Sequence, residues 1–214
     1  MVVTTTPMNI QRAANVSLLL KAVLGILVLL SVHVFLIAVL TSVGNQQPVT
    51  ADDNVWLLAA DAISVSNPDV AASLALYQRN QSLLVDQPQQ KALLDSALAH
   101  WQTAIKQRPL WPYHHLGALD IEVMLNSPAE VIQQRIETII RQTPNERGMD
   151  KPLLELALFS WPKLSDSQQG WMIKRMQIIR PHELRFVIAA AEKVNRRSLI
   201  CANLPLKKIK RYCR

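Results

Sequence analysis

ALAHWQTAIKQRPLWPYHHLG, Ala97–Gly117, holds two tryptophans, a tyrosine, three histidines and two prolines within 21 positions. Such a density belongs either to a chemical site or to the packing between helices. The spacing favours packing. Ala97, Trp101 and Ala104 recur at intervals of four and three, so they share one helical face. Pro109 ends that helix, because proline lacks an N–H and holds the preceding residue out of the α region. Tyr113, Leu116 and Gly117 then begin a second helix. Small Ala97, Ala104 and Gly117 let neighbouring helices approach closely, while Trp101 and Tyr113 fill the space between them.

Working outward, the same punctuation recurs. Prolines and Asn/Asp/Ser positions divide residues 52–197 into eight helical segments. These are 52–66, 68–85, 87–108, 111–125, 127–142, 151–161, 165–180 and 181–197. Pro68 sits in a first turn, where a missing N–H costs least. Ser127 with Glu130 reads as a capping box. Glu183 lies in the first turn of the last segment and Arg196-Arg197 near its end, as the helix dipole prefers. No segment shows strand alternation, and glycine totals five in the chain. The expectation is an all-α fold of about eight helices with short connections.

The opening stretch resembles a tetratricopeptide repeat, whose second helix reads A-x3-F ahead of a proline and whose next first helix carries an aromatic before Leu-Gly. Ala97-x3-Trp101-x2-Ala104-x4-Pro109 and Tyr113-x2-Leu116-Gly117 match those parts. Ile132-x3-Ile136-x2-Ile139-x4-Pro144 echoes the second-helix spacing with larger residues. The resemblance covers about one and a half units over residues 89–144 and implies a stack of helix pairs.

AVLGILVLLSVHVFLIAVLTSV, Ala22–Val43, runs 22 residues without a charge. At about 1.5 Å per residue it reaches roughly 33 Å, enough for a hydrocarbon core of about 30 Å. His33 is its only ionisable side chain. An uncleaved anchor is the first reading. A cleaved secretory signal is the second, with Val49-Thr50-Ala51 as a weak cleavage-like site. Arg12 and Lys21 precede the block without an acid, and Asp52-Asp53 follow it. By the positive-inside rule the N-terminus stays cytoplasmic and the bulk lies across the membrane, periplasmic for a bacterial inner-membrane protein. The expected organisation is a cytoplasmic segment 1–21, a span 22–43, a linker 44–53 broken by Gly44 and Pro48, a helical-repeat domain 54–200 and a basic tail 201–214.

Chemical motifs are sparse. His114 and His115 point about 100° apart on a helix and do not chelate one ion together, and His100 shares no face with them. They read as partly exposed residues at a helix start. Asp120 and Glu122 also diverge, so neither forms the facing pair a glycan hydrolase needs. No phosphate loop, G-x-S-x-G, H-E-x-x-H or zinc-ligand spacing is present, and no cofactor is implied. From Lys163 onward there are 13 Lys/Arg against three Asp/Glu. Lys207, Lys208, Lys210 and Arg211 therefore read either as an anion-binding group, for lipid head groups or an acidic glycan, or as a solvated surface. Nucleic acid does not fit the far side of a membrane. Cys201 and Cys213 either close a small disulfide loop or are unrelated thiols. Trp56, Trp101, Trp111, Trp161 and Trp171 either stack sugars or fill gaps between helices. Trp111 and Trp161, each before a proline, are the expected exposed ones.

RPLWPYHHLGALD, TPNERG and ALFSWPKLSDSQQGWMIKR, together with a single N-terminal span, resemble the VpsP-like polysaccharide biosynthesis family over about residues 15–200. The resemblance carries no catalytic residue. It implies an accessory role beside envelope or polysaccharide-assembly proteins. A general envelope scaffold and a glycan-modifying enzyme are the alternatives.

Overall fold

A computed structural model describes residues 8–50 and 52–210. Among them the chain is all α-helical and contains no strand. α1 spans Met8–Gln46, α2 Val55–Ile63, α3 Pro68–Gln81, α4 Gln87–Gln107, α5 Pro112–Met124 and α6 Ala129–Gln142. α7 follows at Asp150–Phe159, α8 at Asp166–Ile178, α9 at Pro181–Lys193, α10 at Arg197–Asn203 and α11 at Leu206–Ile209. The eight expected segments correspond to α2–α9. Short 3₁₀ turns at Arg147–Met149 and Trp161–Lys163 lead out of the loops on either side of α7. Pro68, Pro88, Pro112 and Pro181 all occupy first turns.

Leu18–Gln46 of α1 is long and apolar enough to cross a membrane. Its residues 18–36 stand exposed apart from half-buried His33. At about 1.5 Å per residue those 19 positions cover roughly 28 Å, of which the charge-free part beyond Lys21, residues 22–36, covers about 22 Å. From Ile37 the same helix turns inward and joins Leu57, Ala60, Val70, Leu74 and Tyr77 in a first core cluster.

Gly44 was expected to break this helix, but α1 continues through it to Gln46. The reason lies in α2. A Cβ at position 44 would stand 2.7 Å from both Cγ and Cδ2 of Leu57. Glycine is there for a close helix crossing, not for a turn. Asn54 fixes the crossing: its Nδ2 donates to the Gly44 carbonyl at 2.8 Å, and its Oδ1 caps α2 by accepting from Leu57 N–H at 3.1 Å. The true connection is thus 47–54.

α3 and α4 pack antiparallel, α4 packs on α5, and α5 on α6. A second cluster (Ala71, Ala75, Leu94, Ala97, Trp101, Ala104, Ala118, Ile121) fills the space among α3, α4 and α5. The largest cluster spreads from Leu119 through α6–α10 to Ile209. Ile132, Ile136 and Ile139, singled out by spacing, all face it fully buried.

Three further expectations are corrected. α6 is entered from Pro128, with no side-chain cap, so Ser127 and Glu130 form no capping box. Ser127 N–H instead bonds the Glu122 carbonyl at 2.9 Å, and Lys163 takes the Ser127 carbonyl at 2.6 Å. A capping box does occur at Ser165 and Gln168. α9 stops at Lys193, because Asn195 adopts φ 55°, and Arg197 opens α10 instead of closing α9. The boundary at residue 200 falls inside α10, and Leu204 and Ile209 are buried.

Candidate functional site

The opening stretch builds the floor of a groove. Ala97 and Ala104 are fully buried on α4, with Trp101 between them. Trp101 packs directly against Gly117 of α5, where an added Cβ would meet its Cε2 and Cζ2 at 2.3 Å. Across this floor, α3 supplies Leu76 and Arg79, α5 supplies Tyr113, Leu116 and Asp120, and α7 supplies Pro152, Glu155 and Phe159. The open space is about 480 Å³. Leu76, Tyr113 and Phe159 present exposed apolar surface along it. Its one ion pair is Arg79 to Asp120, Nε to Oδ2 at 2.8 Å. A mostly apolar groove with one fixed polar pair suits a segment of apolar side chains.

Behind the groove, the two adjacent histidines are buried, not partly exposed as their place at a helix start implied. His114 packs its ring against Trp101, centroids 5.9 Å apart. His115 donates from Nε2 to the Pro109 carbonyl at 2.9 Å, and its Nδ1 accepts from Arg135 Nη1 at 3.3 Å. Those partners select one neutral tautomer. Burial pushes both imidazoles below their ordinary pKa, with Arg108 adding to the effect at His114 and Arg135 at His115. Backbone carbonyls, of Ala104 and Pro109 respectively, oppose it.

Asp120 and Glu122 diverge. Asp120 faces the groove, while Glu122, its side chain 2 % exposed, points to α6 and accepts from Arg135 Nη2 at 2.6 Å. Pro109 also accepts from Gln142 Nε2 at 2.9 Å, so it anchors the turn as well as ending α4. A second buried pair, Arg175 with Asp150, ties α8 to α7, and Arg175 Nη1 reaches the Pro144 carbonyl at 3.0 Å.

The other sequence candidates are scattered. Among the described residues no group of three His, Cys, Asp or Glu stands close enough to share a metal ion. His100 is half-buried on α4. Trp56 and Trp111 are largely exposed, Trp171 is half-buried, and Trp161 is buried in the main core, contrary to the exposure expected of it. Its Pro162 forms a 3₁₀ turn that folds the indole inward. Lys207 and Lys210 are exposed on and just after α11. Arg211, Cys213 and the side chain of Lys208 lie outside the described residues. Cys201, on α10, is disulfide-bonded.

Sequence spacing named Ala97, Trp101, Ala104, Tyr113, Leu116 and Gly117 as packing residues, but placed no groove over them and missed its far wall. Pro152, Glu155, Leu156 and Phe159 come from a helix more than 30 positions downstream of Gly117. Their one local signal was Phe159, an aromatic off the buried stripe of α7. No family model, curated protein or solved structure matches the chain.

Proposed function

We propose that this chain is a single-span, membrane-anchored adaptor that binds a partner in the groove above Trp101 and Gly117 and performs no reaction itself. The observation that carries the proposal is the pairing of a lipid-length apolar helix with an exposed apolar groove on a rigid helical stack. Both carboxylates that sequence offered to catalysis hold an arginine, one in the groove and one in the interior. That division of roles favours binding over proton transfer.

On this proposal the N-terminus is cytoplasmic, by the Arg12 and Lys21 bias, and the helical stack lies on the periplasmic side of an inner membrane. The resemblance to VpsP-like proteins points to extracellular polysaccharide assembly as the setting. The partner is then a polymerase or export component, presenting an apolar segment near the membrane. Lys207 and Lys210 remain available to acidic glycan or head groups.

A photo-crosslinking amino acid at Leu76 or Phe159, with Gln102 on the outer face of α4 as control, tests this in native membranes. Groove positions should capture a polysaccharide-polymerising or exporting protein that the control position does not. Equal capture from both faces, or none from the groove, overturns the adaptor reading. Capture of secretion or cell-division components instead would keep the adaptor and replace its pathway.

A further inference from the structure

The end of the stack nearest the membrane carries apolar side chains that the interior does not use. α3 runs alongside the end of α1. Asn67, Asp69 and Val70 face Val34–Gln46, and Asn45 Nδ2 donates to Ser73 Oγ at 3.2 Å. The loop before α3 therefore lies level with Val34–Ala38, where α1 leaves its fully exposed stretch. Val65 stands at the tip of that loop and is 91 % exposed.

The α4–α5 turn joins it at the same level. Gln107 Nε2 donates to Ser66 Oγ at 2.7 Å, and Arg108 grips both Asp69 oxygens at 2.7 and 3.1 Å. Beyond Arg108, Leu110 is 81 % exposed and Trp111 49 % exposed. Isolated exposed apolar residues need no explanation, but three on two linked loop tips beside a membrane-length helix do. Lys106 and Arg108, both exposed, flank them. Apolar tips with an indole and flanking bases match the boundary between acyl chains and phosphates.

We infer that the α2–α3 and α4–α5 loops form a lipid-contacting foot, in which Val65, Leu110 and Trp111 enter the bilayer interface and seat the helical stack on the membrane surface. The occupant of this surface is phospholipid, because the foot is continuous with the apolar face of α1 and shares its depth. The next loops belong to the same end: Gln142 binds the Pro109 carbonyl and Arg175 the Pro144 carbonyl. They add exposed Arg147, Ile178 and Arg180. This inference rests on α1 being a membrane span.

The test uses the full chain in nanodiscs of phosphatidylethanolamine and phosphatidylglycerol, three to one, with bromine atoms on one acyl chain. The emission of Trp111 is taken as the difference between wild type and Trp111→Phe. Shallow bromines should remove at least half of it, and deep bromines less. Leu110→Asp should restore at least half of the lost emission while far-UV helicity stays unchanged. Alkaline carbonate extraction of native membranes reports the span separately. A chain that resists extraction but whose Trp111 emission ignores bromolipid overturns the foot and leaves the span. A chain that carbonate releases overturns both.

Discussion

Replacing Gly117 by alanine sets two opposed effects against each other. Alanine is the better helix former, by about 1 kcal/mol in an exposed helix interior. Its Cβ, however, would lie 2.3 Å from two atoms of the Trp101 indole. Carbon atoms pack at about 3.5–4.0 Å, so the ring must retreat by more than about 1 Å. It cannot swing freely, since Trp101 is buried among Ala97, Ala104 and Ala118 and its ring meets that of His114. Overpacking of this kind costs about 1–3 kcal/mol, and a displaced indole belongs at the upper end. The net loss is then about 1–2 kcal/mol, a fall in Tm of about 2–8 °C for a chain of this size. Thermal unfolding in detergent, followed by circular dichroism, measures it. The decisive control is Trp101→Leu, which removes the ring atoms the new methyl would strike. In that background Gly117→Ala should become neutral or stabilising, because only the helix preference remains. Destabilisation of equal size in both backgrounds would refute the argument, since the cost would not come from the indole.

Arg135→Leu should cost about 3–5 kcal/mol in urea unfolding, because it leaves the Glu122 carboxylate buried without its cation, and adding Glu122→Leu should recover most of that loss. Both His114 and His115 have folded pKa values below the ordinary 6.5, so the unfolded chain binds protons first as pH falls. Stability is therefore full above about pH 6.5, declines below it and levels off under the folded pKa values. His115→Gln should flatten part of that decline in a pH series of melts. Gly44→Val should loosen α2 from α1, seen as faster hydrogen exchange across Val55–Ile63 with carbonate resistance unchanged. Inserting several Gly/Ser residues between Gln47 and Asp53 should not, because the crossing at Leu57 and the Asn54 bonds set the register, not the length of the loop.

Local sequence carried the helices well because their boundaries are written in residues with few options. Asn67-Pro68, Trp111-Pro112 and Arg180-Pro181 each start a helix where sequence places the break. Trp101 as a gap-filling ring and Gly117 as a point of close approach were each legible from spacing, but that the one sits against the other was not. What escaped depends on partners that arrive from far along the chain. His114 and His115 look like surface residues until Arg135, from the next helix, and the Pro109 carbonyl give His115 its bonds. Gly44 looks like a breaker until Leu57 occupies its missing side chain. Trp161 looks exposed until the helices from α5 to α9 close over it. The groove itself was not legible for the same reason: α4 and α5 are adjacent in sequence, but the wall that makes a groove of them comes from α7.

The position of the groove follows from the way α1 enters the stack. Because α1 continues as one helix from its exposed stretch into a core cluster, and because Asn54 bonds α2 to its last turn, the stack has little freedom to reorient about the span. Pro68 to Leu76 is eight residues along α3, a rise of about 12 Å. On the proposed seating, with the start of α3 at the edge of the hydrocarbon, the groove would open about 12 Å out, just beyond a head-group layer of about 5–8 Å. A partner reaches it most readily with a segment that itself emerges from the membrane, since such a segment is already held at that height and its loss of translational freedom on binding is smaller. On the proposed placement, the crossing at Gly44 and the groove would favour the same kind of partner, another anchored protein offering the first turns outside its own span.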